Sequence, residues 1–235
     1  MDKILQITEE EIANTGTSWT KNKSFDENGY FVIENLWDPL ELYYPVPLQR
    51  GQFTYYSKDS LAFHFSPIED QVNGSVSRYW HPQYREIHSK IRKKIEEKIG
   101  RKLYNTYYYD RYYFSGQQLT RHTDRDACEI SVTVHIGTNL EGEDADWPIF
   151  IKTPDTYSED KKRIISFGEE RSIILKPGDG MLYKGCERPH WRNAMPTPKK
   201  KWFKKENKEY YYHQIFFHYV LQDGIRAHCA YDRAR

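Results

Sequence analysis

Isoleucines at positions 87, 91, 95 and 99 recur every four residues through a stretch otherwise dominated by lysine, arginine and glutamate. That spacing lines one face of a 3.6-residue helix and predicts an amphipathic helix from Pro82 to Lys98 and just beyond. Pro82 suits the first turn and Gly100 the C-terminal cap. The apolar stripe needs a sheet to lie against. From Leu103 the period changes to two: in LYNTYYYDRYYF, Tyr107, Tyr109, Arg111 and Tyr113 fall on one face of a strand. Further strand patterns follow at 129–137, 147–152, 163–167, 171–176, 180–183, 189–193 and 210–220, separated by glycine and proline turns such as Pro177-Gly178-Asp179. Eight short strands after a packing helix predict a mostly β fold with packing helices (α+β): a double-stranded β-helix, or jelly roll, with N-terminal helical support.

Residues 1–80 carry a weaker pattern: a short helix near the start, a strand at Tyr30 to Ile33, then a loop-rich stretch with Pro39, Pro45, Pro47 and Pro67. Nothing marks a second core. The expected organisation is one domain over 1–235, with an N-terminal scaffold and loops (1–80), the packing helix (81–101), the jelly-roll core (102–224) and a C-terminal tail (225–235).

Composition sharpens this picture. Hydrophobic residues make up 38% of the chain but aromatics 16%, including 20 tyrosines, so a few large rings fill the interior. A net charge of +1 supplies no global field for nucleic acid or anionic membrane. The lysine-rich run at 199–205 reads as a solvated loop. Cys128, Cys186 and Cys229 are odd in number and widely spaced, which fits free thiols in a reducing compartment rather than a disulfide framework. No leader-like or membrane-length apolar stretch is present in the sequence, and a cytoplasmic location is expected.

The candidate chemistry lies in RHTDRDACEISVTVHIG and CERPHWRNAM. A His-x-acid pair is expected roughly once by chance in a chain of this composition. Here, however, His122 and Asp124 stand at the mouth of the alternating run Ile130, Val132, Val134, Ile136, and His190 follows the strand pattern at 180–183. Two imidazoles and one carboxylate occupy one face of an octahedral Fe(II) and leave three positions for cosubstrate and O2. Both His122 and Asp124 are expected to project from the start of a strand. His135, His213 and His218 lie within strands and read as core or surface histidines, with His213 and His218 on opposite faces.

With these motifs in order, the segment from Lys98 to Gly224 resembles the 2-oxoglutarate and Fe(II) dependent dioxygenases of the prolyl 4-hydroxylase-like type. The resemblance rests on the Tyr-rich strand, the His122–Asp124 segment, WPIFI, LKPGDGMLYKGCERPHWR and HQIFFHYV. It implies iron ligation by His122, Asp124 and His190, 2-oxoglutarate as cosubstrate with O2, and support of activity by ascorbate. Such enzymes usually hold the distal carboxylate of 2-oxoglutarate with a Lys or Arg about ten positions after the second His. Here that position falls in the lysine-rich run, so Arg192 is the first candidate and Arg111 the second. Tyr113 or Tyr112 would donate a hydrogen bond to the cosubstrate.

The resemblance implies oxidative decarboxylation of 2-oxoglutarate coupled to hydroxylation of a C–H bond. A peptidyl proline or similar residue in a peptide or protein is the first substrate reading, and a free amino acid or small metabolite the second. A noncatalytic jelly-roll binding module is the rival from another class. An oxidative demethylase of nucleic acid is disfavoured by the neutral charge.

Overall fold

The isoleucine stripe forms the expected helix. In the computed structural model, which describes residues 20–42, 64–65, 71–72, 74–198 and 210–232, Tyr84–Ile99 is helical and Ile91, Ile95 and Ile99 are wholly buried. Pro82 lies in the lead-in turn, its carbonyl accepting from Arg85 N, and not inside the helix. Gly100 closes the helix in the left-handed conformation, φ 70°, with its N–H on the Glu96 carbonyl. The expected helix near the N-terminus and the run at 199–205 lie outside the described residues.

In chain order the elements are α1 (Lys23–Asn28), β1 (Tyr30–Ile33), α2 (Pro39–Leu42), β2 (His64–Phe65), β3 (Val76–Tyr79), α3 (Tyr84–Ile99), β4 (Leu103–Phe114), β5 (Leu119–His122), β6 (Ile130–Thr138), β7 (Ile149–Lys152), β8 (Thr156–Tyr157), β9 (Ile164–Ser166), β10 (Glu170–Ile173), β11 (Gly180–Lys184), β12 (His190–Arg192) and β13 (Tyr211–Leu221). They form a seven-stranded sheet in the order β1-β11-β6-β13-β4-β3-β2 and a four-stranded sheet in the order β10-β7-β12-β5, with β8-β9 as a separate hairpin. All pairings are antiparallel. This is a jelly-roll core with packing helices. Among the described residues no helix is long and apolar enough to cross a membrane.

The larger sheet is covered on both faces, which explains why β4 is buried along nearly its whole length. On the outer face α3 packs Ile87, Ile91, Ile95 and Ile99 with Tyr108, Val132, Ile215 and Phe217. The outer face also buries an ion pair between Arg78 and Asp110, with His213 Nε2 2.7 Å from Asp110. The inner face carries the odd-numbered residues of β4. Tyr107, Tyr109 and Tyr113 meet Leu119 from the smaller sheet together with Trp147, Tyr212 and Phe216. Ile149 and Ile151 of β7 meet Met181 and Tyr183 of β11 in a second inter-sheet cluster.

Candidate metal centre

The smaller sheet brings the two candidate imidazoles together. In the β5-β12 pairing His190 stands directly opposite His122, and their rings are 4.3 Å apart between centroids. His122 is the last residue of β5, and Asp124 lies in the connection beyond it, before the 3-10 turn at Asp126–Cys128 and the start of β6. Neither projects from the start of the 129–137 strand, contrary to expectation. Four residues are too few for an alternation signal to reveal β5, and the strand exists because β12 pairs with it.

Side-chain geometry turns all three groups to a common point. Asp124 Oδ1 lies 3.4 Å from His122 Nε2 and 3.6 Å from His190 Nε2, and one ligand atom from each residue lies within 4.8 Å of the others. The other nitrogen of each ring is engaged: Nδ1–H of His122 donates to the Thr120 carbonyl at 2.7 Å, and Nδ1–H of His190 to the Arg188 carbonyl at 3.0 Å. A carbonyl can only accept, so each Nδ1 carries a proton and each Nε2 faces Asp124, the arrangement of the Nε2-ligating tautomer. A metal-binding histidine needs this tautomer, and the carbonyls fix the ring orientation.

Charge states agree. Burial pushes the Asp124 carboxyl up, but the imidazoles of His190 and His122 beside it outweigh that and hold the group well below the usual carboxylate range. Burial lowers the His190 imidazole, which favours its metal-binding form. An ionised carboxylate beside two imidazoles is the donor set that a divalent first-row metal takes up, so the residues fit a mononuclear iron centre.

Several supporting residues carried no distinct sequence signal. Ser131 Oγ, on the inner face of β6, donates to Asp124 Oδ2 at 3.0 Å and lies 2.9 Å from His218 Nδ1. The single serine proton favours the ionised carboxylate, so His218 Nδ1–H donates to the serine oxygen. Gly185 accepts the Asp124 N–H at 2.9 Å, and a Cβ there would stand 2.5 Å from Asp124 Oδ2 and 2.2 Å from the Cys128 carbonyl. The carboxylate can approach only because position 185 has no side chain. Tyr183 covers His190 at 4.7 Å. Beside Asp124 opens a cavity of about 290 Å³ lined by Gln71, Tyr79, Tyr107, Tyr109, Thr123, Arg125, Cys128 and His218.

The cosubstrate candidates separate clearly. Arg192, on β12 two residues past His190, is 1% exposed, and its guanidinium lies 4.5 Å from the Trp147 ring and 4.8 Å from Tyr212. Nη1 donates to the Trp147 carbonyl at 2.6 Å, whereas Nε and Nη2 have no hydrogen-bond partner among the described residues. Those two N–H groups form the side edge of the guanidinium, a ready fork for a carboxylate. Tyr113 Oη is likewise buried without a partner among the described residues and packs on Trp147 at 5.2 Å. Buried polar atoms left open in this way are costly unless a ligand meets them. Arg111 is also on the inner face, its Nε donating to Ser77 Oγ at 3.1 Å and its charge over Tyr109, Tyr113 and Phe216. Tyr112 points to the outer face and stacks on His213 at 3.8 Å, so it is not brought to this interior. His213 and His218 do fall on opposite faces, and His135 packs on Tyr212 at 4.0 Å.

No protein-family model matches the chain, and no curated protein matches it in sequence. Solved structures do match in shape. A Pseudomonas putida prolyl-4-hydroxylase superimposes with a TM-score of 0.51 at 12% identity, over 83% of this chain and 95% of that one. A 2OG-Fe(II) oxygenase family oxidoreductase from Burkholderia pseudomallei gives 0.52 at 12% identity, over 90% and 91%. The chain has the fold of the 2-oxoglutarate and Fe(II) dependent oxygenases. The non-heme alpha ketoglutarate dependent epimerase SnoN from nogalamycin biosynthesis has the same oxygenase fold, with a TM-score of 0.53 at 10% identity over 91% of this chain and 84% of that one.

Proposed function

We propose that the protein is a non-haem iron oxygenase that couples oxidative decarboxylation of 2-oxoglutarate to hydroxylation of a C–H bond, with a peptidyl proline or similar residue as substrate. The observation that carries the reading is the convergence of His122 Nε2, Asp124 Oδ1 and His190 Nε2 within a jelly roll, each imidazole held in its ligating tautomer by a backbone carbonyl. These residues would hold Fe(II), which when bound supplies O2 activation against an unreactive C–H bond.

The remaining work belongs to the chain. Arg192 would take the distal carboxylate of 2-oxoglutarate on its open Nε and Nη2 edge, with Tyr113 Oη donating beside it. Ser131 and the close approach at Gly185 hold Asp124 in place. The rings of Tyr79, Tyr107 and Tyr109, stacked 4.8 to 6.5 Å apart, wall the cavity beside Asp124. Their faces suit an aliphatic ring and shed water from the reacting C–H bond. The prolyl-4-hydroxylase likeness, spanning 95% of that enzyme, supports the peptidyl reading.

A small-molecule substrate is the second reading. The cavity of about 290 Å³ is of the size that takes a compact metabolite, and SnoN, an enzyme of nogalamycin biosynthesis, is among the fold neighbours. Succinate formation under Fe(II), ascorbate and O2, with and without proline-containing peptides and with Asp124→Ala as blank, tests both. Peptide-stimulated turnover with an oxygen added to the peptide supports the first. Turnover stimulated by small metabolites and by no peptide supports the second, and absence of iron binding and of turnover with either class refutes the oxygenase reading.

A further inference from the structure

We propose that Cys128 and Tyr107 become joined by a thioether bond formed by the protein's own oxidative chemistry, a modification that rests on the iron oxygenase reading above. Cys128 Sγ lies 3.2 Å from Tyr107 Oη, the two groups sharing one hydrogen bond. The carbon ortho to that hydroxyl, one bond removed from the C–O carbon, is the position at which an oxidised phenol accepts a new bond. Both groups line the cavity beside Asp124. Cys128 Sγ, an Asp124 carboxylate oxygen and a His218 ring nitrogen lie within 4.8 Å of one another, so the thiol neighbours a carboxylate that also belongs to the candidate metal site.

The surroundings hold the pair in register. Tyr107 is fixed by Arg125 over its ring at 4.5 Å and by His218 at 4.6 Å, and Cys128 closes the turn before β6 with its N–H on the Arg125 carbonyl at 2.8 Å. The pair is pre-oriented in the wall of the cavity beside Asp124. A free thiol beside an oxygen-activating centre otherwise climbs the ladder to sulfinic acid, whereas an adjacent phenol offers a product that stops at the two-electron level.

In the reaction the S–H bond of Cys128 and the ortho C–H bond of Tyr107 break, and an S–C bond forms. The two hydrogens leave as two protons and two electrons. One O2 accepts them with the help of one 2-oxoglutarate: one oxygen atom enters succinate as CO2 is released, and the other leaves as water. A turnover without substrate supplies the whole balance, and the cross-link would pin the ring that walls the cavity.

The test is peptide mass mapping of the full chain after incubation with Fe(II), 2-oxoglutarate and O2, followed by thiol reduction and alkylation so that no disulfide survives. Succinate is measured in the same sample. The expected result is tryptic peptide 103–111 joined to 126–152, about 2 Da lighter than their sum, in wild type but in neither Cys128→Ser nor Tyr107→Phe, and not in an anaerobic control. Succinate formed with both peptides recovered separately and unchanged overturns the cross-link but leaves the oxygenase intact. A sulfinic acid at Cys128 with no joined peptide does the same. Failure to bind iron or form succinate removes the oxygenase reading and the cross-link together.

Discussion

Replacing Arg192 with Gln is the sharpest test of how the interior is used. The side chain is 1% exposed, anchored by Nη1 on the Trp147 carbonyl and sandwiched near Trp147 and Tyr212, with the Nε and Nη2 edge left open. If 2-oxoglutarate places its distal carboxylate there, the two parallel charge-assisted bonds are made out of water. Truncating one partner of a buried, hydrogen-bonded charge pair costs about 2 to 5 kcal/mol. At about 1.4 kcal/mol per decade that is roughly a 30-fold to several-thousand-fold loss of 2-oxoglutarate affinity. Arg192→Lys keeps the charge without the fork and should fall between. Calorimetric titration of 2-oxoglutarate into anaerobic, Mn(II)-loaded protein reads the loss directly. A thermal shift checks it, because wild type should gain stability on binding that Arg192→Gln does not. An affinity for Arg192→Gln within about threefold of wild type, with Arg111→Gln strongly impaired, would refute the assignment and move the carboxylate site to Arg111.

Three further outcomes are expected. Asp124→Ala should lose Fe(II) from the purified chain and abolish succinate formation; metal analysis and turnover check it, and normal iron stoichiometry would remove Asp124 from the ligand set. Ile95→Ala, at a wholly buried site under the larger sheet, should cost about 2 to 5 kcal/mol in urea unfolding, and a loss under about 1 kcal/mol would mean that α3 does not pack there as described. His88 is stacked on Phe217 and holds the His218 carbonyl at 3.0 Å, and burial lowers its pKa from 6.5 to about 3. The unfolded chain therefore takes up this proton first: the stability is fully present above about pH 6.5 and is lost down to about pH 3, by up to about 5 kcal/mol. His88→Leu should flatten that limb of the stability profile, and parallel acid curves for the two proteins would contradict it.

Local pattern was enough to place α3, the two faces of β4 and strands at 129–137, 180–183 and 210–220, which form at Ile130–Thr138, Gly180–Lys184 and Tyr211–Leu221, because each pattern is set by which side chains must leave water. The Pro177-Gly178-Asp179 turn was equally plain: Gly178 has φ 92°, and Asp179 Oδ1 accepts from Asn35 N at 2.9 Å. His122, Asp124 and His190 could be singled out because their residue types and order suit one metal geometry. The sequence also showed that Arg111 and Tyr113 share a face. Which residues converge was decided only by tertiary structure. β5 is legible only through its pairing with β12, and that register sets His122 opposite His190. Ser131, Gly185, Cys128 and His218 have ordinary local patterns, and their relation to Asp124 arises from β6, β11 and β13 meeting around one carboxylate. Tyr112 and Tyr113 are indistinguishable by type, yet the pleat sends one to His213 outside and the other to Trp147 inside. Local patterns record what each segment buries; the distances between segments, and hence the chemistry, come from how the two sheets close on each other.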